Sequence, residues 1–326
     1  MKHTQDPYAN EHLDIPGNPS TAKSSALQLN TRPNKEPLQL LSESQWEHWT
    51  QQGYVVIPGA IPPEEIRATA DFIWAFEEKD PQDPSTWYTP PRAEMQMKEL
   101  AGTGMVEAYN HQTLWNNRQN ETVYKAFCDV WGTSKLWVTI DRANLNFPIQ
   151  PGFEYQGFIH WDYDPETKPQ NVQGVLALSD QTDEQTGGFQ CIPWLYRNYE
   201  KWKQSQPQDR NRFMPDISGL ENHIQKVKLQ PGDLLIFNSL LPHGIRPNRS
   251  QNNVRIAQYV SMMPAEEDNT ALKNWRIKSW KNRIAPEGYA FPGDPRNWEQ
   301  KRYSTAQLSP LGEHLLGLRA WEDSLG

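Results

Sequence analysis

The chain has 326 residues, enough for one large domain or two small ones with a sizeable buried core. Its 32 basic and 40 acidic side chains give a net charge of −8 without a block of Lys or Arg, so nucleic acid and membranes are not expected partners. No apolar run approaches the roughly 20 residues of a spanning helix. Two cysteines, Cys128 and Cys191, and a polar N-terminus without a signal peptide predict a reduced, cytoplasmic protein.

The chain divides into an N-terminal arm and one long domain. Residues 1–37 are rich in Pro, Asn, Ser, Thr and Gln, so they have no core of their own and are expected to drape over the domain or to be disordered. Residues 38–326 are predicted to form a single domain. Within it, a jelly roll is expected at about 135–264 and a helical tail at 265–326.

The front of this domain is predicted to be helical. Ser42 and Gln45 form a capping-box pattern that starts a helix, and residues 54–57 then have the composition of a buried strand. A Pro-Pro-Glu-Glu run shortly afterwards predicts a second helix. Prolines interrupt residues 80–118, which we expect to be irregular, and a further helix is predicted near 121–130.

From residue 135 onwards, short apolar segments alternate with turns that contain Gly and Pro. This pattern predicts a mainly β fold with a helical buttress (α+β), a cupin-like jelly roll or double-stranded β-helix. A polar insertion rich in Trp and Tyr, residues 195–222, is expected to border its mouth. The strand candidates are 136–140, 157–161, 172–178, 189–192, 226–229, 234–237 and 253–261.

Three residues at strand ends form a candidate metal site. Residues two apart on a strand project to the same side, so His160 and Asp162 present an imidazole and a carboxylate to one point. His243 follows a Pro-Gly-Asp turn and a buried strand, and Gly244 comes directly after it. A lone His-x-Asp is common by chance, but three ligand types in equivalent places are not. Two histidines and one carboxylate on one face suit non-haem Fe(II) and leave the opposite face open.

An arginine provides the second half of the prediction. Arg255 alternates with apolar residues and shares a strand face with Ala257 and Tyr259, so it is expected to point into the roll. A buried arginine is costly unless it meets an anion, and its planar fork binds a carboxylate bidentately. The distal carboxylate of 2-oxoglutarate would be such an anion; an ordinary salt bridge is the alternative. Arg246 is a rival, placed by its Pro- and Asn-rich surroundings at the mouth or the surface.

With these residues in place, the chain resembles the phytanoyl-CoA dioxygenase (PhyH-like) family of Fe(II)/2-oxoglutarate-dependent oxygenases. The resemblance covers about residues 46–261, and a tail at 308–317 is similar to a C-terminal segment of bacterial relatives. Its motifs are Gly53-Tyr54-Val55-Val56-Ile57-Pro58-Gly59, His160-Trp161-Asp162, Gly187-Gly188-Phe189-Gln190-Cys191-Ile192-Pro193, Pro231-Gly232-Asp233, His243-Gly244 and Arg255.

The resemblance implies that His160, Asp162 and His243 bind iron and that Arg255 holds the co-substrate. Asp162 argues against halogenation, because halogenating relatives have a small residue in its place.

Two departures from the family pattern concern the co-substrate. One extra residue separates the distal histidine from the arginine, and Ile245 stands where a small hydroxyl residue is usual. Asn144, an inward polar residue on the strand before the site, is predicted to supply a contact to 2-oxoglutarate instead.

The predicted function is an Fe(II)- and 2-oxoglutarate-dependent dioxygenase that uses O2 and releases succinate and CO2. Hydroxylation is the expected outcome, with desaturation or C–N cleavage left open. Without a basic cluster for CoA, the expected substrate is a small polar metabolite or natural-product intermediate, such as an amino-acid-derived compound. Arg142, Arg246 and Trp161 are the predicted substrate contacts, and the oligomeric state stays open.

Two other classes of protein remain compatible with the same residues. A non-redox cupin-like metalloenzyme, an isomerase or epimerase, could use the same ligands with another divalent metal and would not need Arg255. A non-catalytic jelly-roll binding module could use the triad structurally, but it should not leave coordination positions open.

Overall fold

The structure is a computed structural model that describes residues 18–31, 37–89, 104–154, 156–286 and 291–321. Part of the predicted N-terminal arm is among them: residues 18–31 lie against the roll through hydrogen bonds to Gln170 and Asn171. The rest of the arm before residue 37, and residues 322–326 of the predicted tail, lie outside the described residues.

Helices form the front of the fold, and their starts follow from the sequence. α1 (Glu43–Gln52) begins at the capping box of Ser42 and Gln45, because each residue satisfies a backbone N–H of the other. A glycine with φ of 77° then ends the helix. β1 (Tyr54–Ile57) and α2 (Pro63–Phe76) follow, as predicted. The other α-helices of the described residues are α3 (Gln112–Arg118), α4 (Glu121–Trp131), α5 (Pro193–Lys203), α6 (Thr270–Asn282), α7 (Trp298–Arg302) and α8 (Pro310–Leu316).

Antiparallel sheets form the body of the fold. After β1, the strands of the described residues are β2 (Met105–Val106), β3 (Leu136–Val138), β4 (Ala143–Asn146), β5 (Val172–Ala177), β6 (Thr186–Cys191), β7 (Gln225–Lys226), β8 (Leu234–Asn238), β9 (His243–Asn248), β10 (Arg255–Tyr259) and β11 (Met262–Pro264). Among them, the largest sheet has six strands in the order β1–β8–β5–β10–β4–β2, and a smaller sheet has the order β7–β6–β9. Strands distant in the chain thus become neighbours, which is the jelly-roll connectivity, and the predicted fold class is confirmed.

The two faces of the large sheet pack into two different cores. On β8, Leu235 and Phe237 pack with Phe189 of the small sheet, whereas Leu234 and Ile236 pack with the helices. Successive strand residues point to opposite faces, so this phase identifies the side chains that line the inside of the roll.

A fully buried arginine joins the C-terminal helices to the rest of the molecule. Arg276, on α6, is 0 % exposed, and within the described residues its hydrogen bonds all go to backbone carbonyls. Its acceptors belong to Leu315 and Leu316 on α8, Val138 on β3, and Ser20 in the N-terminal segment. One side chain therefore fastens four stretches of chain together.

The structure differs from the sequence-based assignment in several places, and strands β2, β4 and β9 lie outside the predicted strand segments. Helix α3 forms within the stretch predicted to be irregular, because His111 caps it and Leu114 and Trp115 bury one face. The predicted strand at 157–161 is reduced to a single bridge at His160. The insertion at 195–222 opens with helix α5. In the described part of the chain, no helix combines the length and apolarity needed to cross a bilayer.

Glu77, directly after α2, makes the stability of the fold depend on pH. The side chain is fully buried, its carboxyl oxygens have no hydrogen-bond partner among the described residues, and Arg296 Nη2 is 3.9 Å away. Burial raises its pKa from 4.5 to about 8, although the charge of Arg296 opposes the rise. The native state therefore holds a proton that the unfolded state loses, and stability should fall as pH rises from about 5 to 8.

Replacing Glu77 by glutamine removes this titration. We expect Glu77→Gln to flatten the pH dependence of the free energy of unfolding and to stabilise the protein by about 2 kcal/mol or more above pH 8. Urea unfolding at a series of pH values measures both effects. Parallel pH profiles for the wild type and the variant would contradict the assignment.

Candidate metal centre

The two parts of the candidate site meet through a backbone bridge. His160 and His243 exchange two backbone hydrogen bonds, with N···O distances of 2.8 and 3.0 Å, which place the His160–Asp162 segment alongside β9. Gly244 permits this approach, since a Cβ at that position would lie 1.8 Å from the carbonyl oxygen of Phe158. The small residue after the distal histidine is thus required by the packing of the two segments.

The three predicted ligands converge. Asp162 Oδ1 lies 3.1 Å from His160 Nε2, and Asp162 Oδ2 lies 3.3 Å from His243 Nε2. One ligand atom from each residue falls within 4.8 Å of the other two, and this is the one cluster of three or more potential metal ligands among the described residues. The arrangement offers two nitrogens and one carboxylate oxygen to a single ion.

Neighbouring groups orient these ligands. His243 Nδ1 lies 3.0 Å from the carbonyl oxygen of Leu241, to which it donates in the tautomer that leaves Nε2 free to bind a metal. Gln173, on the inner face of β5, donates a 2.6 Å hydrogen bond to Asp162 Oδ2. Burial by itself raises the pKa of the Asp162 carboxyl, but the charge and hydrogen bonds of His160 and His243 hold it well below its ordinary value.

Ion pairs fasten the loop that follows Asp162 to the α5 insertion. Glu166 accepts hydrogen bonds from Arg210 at 2.7 Å and Lys203 at 3.0 Å, and Asp164 pairs with Arg212 at 3.0 Å. The insertion predicted to border the mouth thus supports the metal-binding segment directly.

Arg255 lies inside the roll, as its strand phase predicts. The guanidinium is fully buried at the start of β10; its Nε donates to Gln181 Oε1 at 3.1 Å and its Nη1 to Asn144 Oδ1 at 2.8 Å. Its Nη2 has no hydrogen-bond partner among the described residues. A buried donor without an acceptor is costly, so this nitrogen fits an anionic ligand. Asn144 therefore hydrogen-bonds to Arg255, the residue predicted to hold the co-substrate.

Two of the three predicted substrate contacts have internal partners instead. Arg142 is buried, donates from Nη1 to Glu107 at 2.7 Å and stacks on Phe291 at 4.5 Å, so its charge is already paired. Trp161 is 1 % exposed, donates from Nε1 to the Leu240 carbonyl and packs with the rings of Tyr199 and Trp202. Both stay predictions as substrate contacts, with their polar groups already bound within the chain.

Arg246 also departs from its predicted place. It lies within β9, is 3 % exposed, and donates to the carbonyls of Gly187 and Phe189 on β6, so it is neither at the mouth nor on the surface. Glycine at position 188 makes room for it: a Cβ there would lie 3.0 Å from Arg246 Nη2.

Sequence reasoning missed two glutamines at the site. Gln173, which contacts Asp162, alternates in phase with apolar inward residues of β5 and could have been found from that alternation. Gln181 lies in the turn after β5, fully buried beside Arg255, and its sequence surroundings give no signal of burial.

The comparison with protein families decides the affiliation. The family described as Phytanoyl-CoA dioxygenase (PhyH) matches residues 49–257, a stretch that includes the triad and Arg255. The chain belongs to the phytanoyl-CoA dioxygenase family. The resemblance seen in the sequence is thereby confirmed, and the comparison with curated proteins gives no match.

Solved structures share the fold of this family member at low sequence identity. A hypothetical protein of Escherichia coli, JW0805, superposes with a TM-score of 0.61 at 17 % identity, over 85 % of this chain and 82 % of that one. GlcNAc Inducible Gene 2 of Candida albicans gives a TM-score of 0.62 at 14 % identity, over 86 % and 77 % of the two chains. These likenesses concern the fold alone.

Proposed function

We propose that this member of the phytanoyl-CoA dioxygenase family is an Fe(II)- and 2-oxoglutarate-dependent oxygenase. One observation carries the proposal: a two-histidine, one-carboxylate cluster shares the inside of the roll with a buried arginine whose Nη2 has no partner in the described part of the chain. A non-redox metalloenzyme or a binding module would account for the cluster but not for Arg255.

The donor set fits the proposed metal. His160, Asp162 and His243 would hold Fe(II) on one face, and their N2O composition with open positions is typical of non-haem iron sites that use dioxygen. The bound iron supplies the activation of O2, coupled to loss of CO2 from 2-oxoglutarate. We also propose a reducing, cytoplasmic setting, because two buried cysteines do not make a disulfide framework.

The residues of the chain position and protect this chemistry. Gln173 holds the carboxylate of Asp162 in one orientation, and Phe189 and Phe237 pack against the ring of His243, with centroids 5.7 and 4.4 Å away. These contacts fix the ligand geometry and keep water away from one side of it. Arg255 would bind the distal carboxylate of 2-oxoglutarate through Nη2.

The proposed substrate is a small polar metabolite or natural-product intermediate, for which hydroxylation is the simplest outcome. With Arg142 and Trp161 engaged elsewhere, support comes from the inner face of the large sheet. Asn146 on β4 and Tyr259 on β10 share the phase of Arg255 and are only half-buried, so polar groups line the open part of the roll. Such groups favour a ligand that can form hydrogen bonds.

Co-substrate turnover tests the proposal. Candidate polar metabolites should stimulate succinate release from 2-oxoglutarate by the Fe(II)-loaded protein, and Arg255→Ala should raise the KM for 2-oxoglutarate by about 100-fold, as expected for loss of a charged hydrogen bond. An unchanged KM in Arg255→Ala would contradict the assignment of this residue.

A further inference from the structure

Three buried donor nitrogens belong to Arg255 and to two side chains near it. They are Nη2 of Arg255, Nε2 of Gln181 and Nε of Arg246, and each is unpartnered among the described residues. Gln181 is 0 % and Arg246 3 % exposed, so bulk water does not readily accept hydrogen bonds from them. Each unmade bond of this kind is costly in a folded protein, and three on neighbouring side chains favour a missing acceptor.

Gly188 locates the cluster. A Cβ built on Gly188 would lie 3.2 Å from Gln181 Oε1 and 3.0 Å from Arg246 Nη2, so both side chains border the same small space. Gln181 Oε1 also accepts from Arg255 Nε, which fixes the orientation of its amide because only the oxygen can accept. The other amide atom of Gln181 is therefore the nitrogen, which can donate a hydrogen bond.

The positive charges of Arg246 and Arg255 are not paired with a carboxylate among the described residues. In the described part of the chain, no carboxylate lies within 4.0 Å of the guanidinium of Arg255 or Arg246, although both are buried. Burial lowers the pKa of Arg246; the charge of the exposed Glu184 opposes this shift, and the charge of Arg255 adds to it. Two buried positive charges with no carboxylate in contact among the described residues favour a bound anion.

Arg255 offers fewer free nitrogens to a carboxylate than the bidentate binding predicted from the sequence requires. Gln181 and Asn144 already occupy Nε and Nη1, which leaves Nη2 as the nitrogen without a partner. A bidentate fork across Nε and Nη2 is thus not available while Gln181 stays in place. A second donor to a bound carboxylate has to come from a neighbouring side chain.

We propose that Gln181 supplies this second donor and that Arg246 adds a second positive charge, so that a three-residue cradle of Gln181, Arg246 and Arg255 selects 2-oxo acids with a distal carboxylate. The inference rests on the proposed function and deepens it: it assigns specificity for the co-substrate to two residues besides Arg255.

Anaerobic calorimetric titration of the Fe(II)-loaded protein tests the cradle with two ligands. 2-Oxoglutarate has the distal carboxylate, and 2-oxobutyrate lacks it while keeping the same metal-chelating end. Gln181→Met keeps the side-chain length but removes both the amide donor and the oxygen that accepts from Arg255 Nε. The freed Nε replaces only part of the lost contact, so we expect 2-oxoglutarate to bind about 10-fold more weakly and 2-oxobutyrate to be nearly unaffected. Gln181→Glu should weaken 2-oxoglutarate further, because an internal carboxylate would then pair with Arg255.

Two further variants separate specificity from folding. Gln185→Met changes an exposed glutamine in the same turn and should leave both affinities as in the wild type. Arg246→Met loses the hydrogen bonds to β6 and could disturb the fold. We therefore compare the ratio of the affinities for 2-oxoglutarate and 2-oxobutyrate, and not either affinity alone. A ratio that falls with Arg246→Met and Gln181→Met supports the cradle, and a wild-type ratio in both variants overturns it. A wild-type protein that does not prefer 2-oxoglutarate would instead overturn the proposed function.

Discussion

Replacing Asp162 by asparagine should abolish 2-oxoglutarate-dependent succinate formation. Asp162 lies between both histidines, at 3.1 and 3.3 Å, and contributes the one negative charge of the triad. Asparagine keeps the shape of the side chain but offers a neutral oxygen to the metal. Loss of a residue that only hydrogen-bonds to a metal ligand costs up to about 100-fold, so loss of the ligand charge itself should lower both metal affinity and turnover by more than that. Metal content after gel filtration and succinate release under saturating Fe(II) measure the two effects.

Asp164→Asn is the matched control for this variant. Asp164 is two residues further on, pairs with Arg212 at 3.0 Å and caps a short 3₁₀ turn, but it is not part of the ligand cluster. The same chemical change there should preserve most of the turnover. If Asp162→Asn kept wild-type succinate formation, the triad could not be the catalytic metal site.

Replacing Arg276 by methionine should produce the largest loss of stability. The side chain donates to four backbone carbonyls while fully buried, and methionine fills similar volume without a donor. Burial lowers the pKa of Arg276 to about 9, so removing its charge recovers some of the cost of burying it. The orphaned carbonyls outweigh that gain, and we expect the free energy of unfolding to fall by about 3–5 kcal/mol.

Lys278→Met on the same helix provides the comparison. Lys278 is exposed, so its replacement should change the free energy of unfolding by less than about 0.5 kcal/mol. Urea unfolding at neutral pH compares the two variants. Equal stabilities would show that the Arg276 network does not fasten the C-terminal helices to the roll.

The fold and the centre of the site could be predicted because both depend on local periodicity. Alternation on short strands placed Arg255 inside the roll, and the position of His160, Asp162 and His243 at strand ends brought the three ligands together. Gly244 shows the same logic at one residue, since only a glycine admits the backbone of Phe158. Strand alternation, strand ends and glycines depend on residues that are close together in the chain, so they can be recognised in a single sequence.

The partners of buried polar residues could not be predicted in this way. The charge of Arg142 is neutralised by Glu107, 35 positions earlier, and Trp161 is covered by an insertion that follows it. A sequence shows that such a residue is polar or aromatic, but not whether its partner is internal. Gln181 illustrates the reverse case: a residue in a turn becomes buried only because Arg255 reaches it across the roll.

The central claim is that one site binds Fe(II) together with 2-oxoglutarate, and an anaerobic titration tests it most directly. Chelation of the metal by a 2-oxo acid gives a weak visible charge-transfer band. The wild-type protein with Fe(II) should develop this band as 2-oxoglutarate is added, and Arg255→Ala should need far more 2-oxoglutarate to reach the same intensity. No band in the wild type at saturating Fe(II) and 2-oxoglutarate would contradict the account.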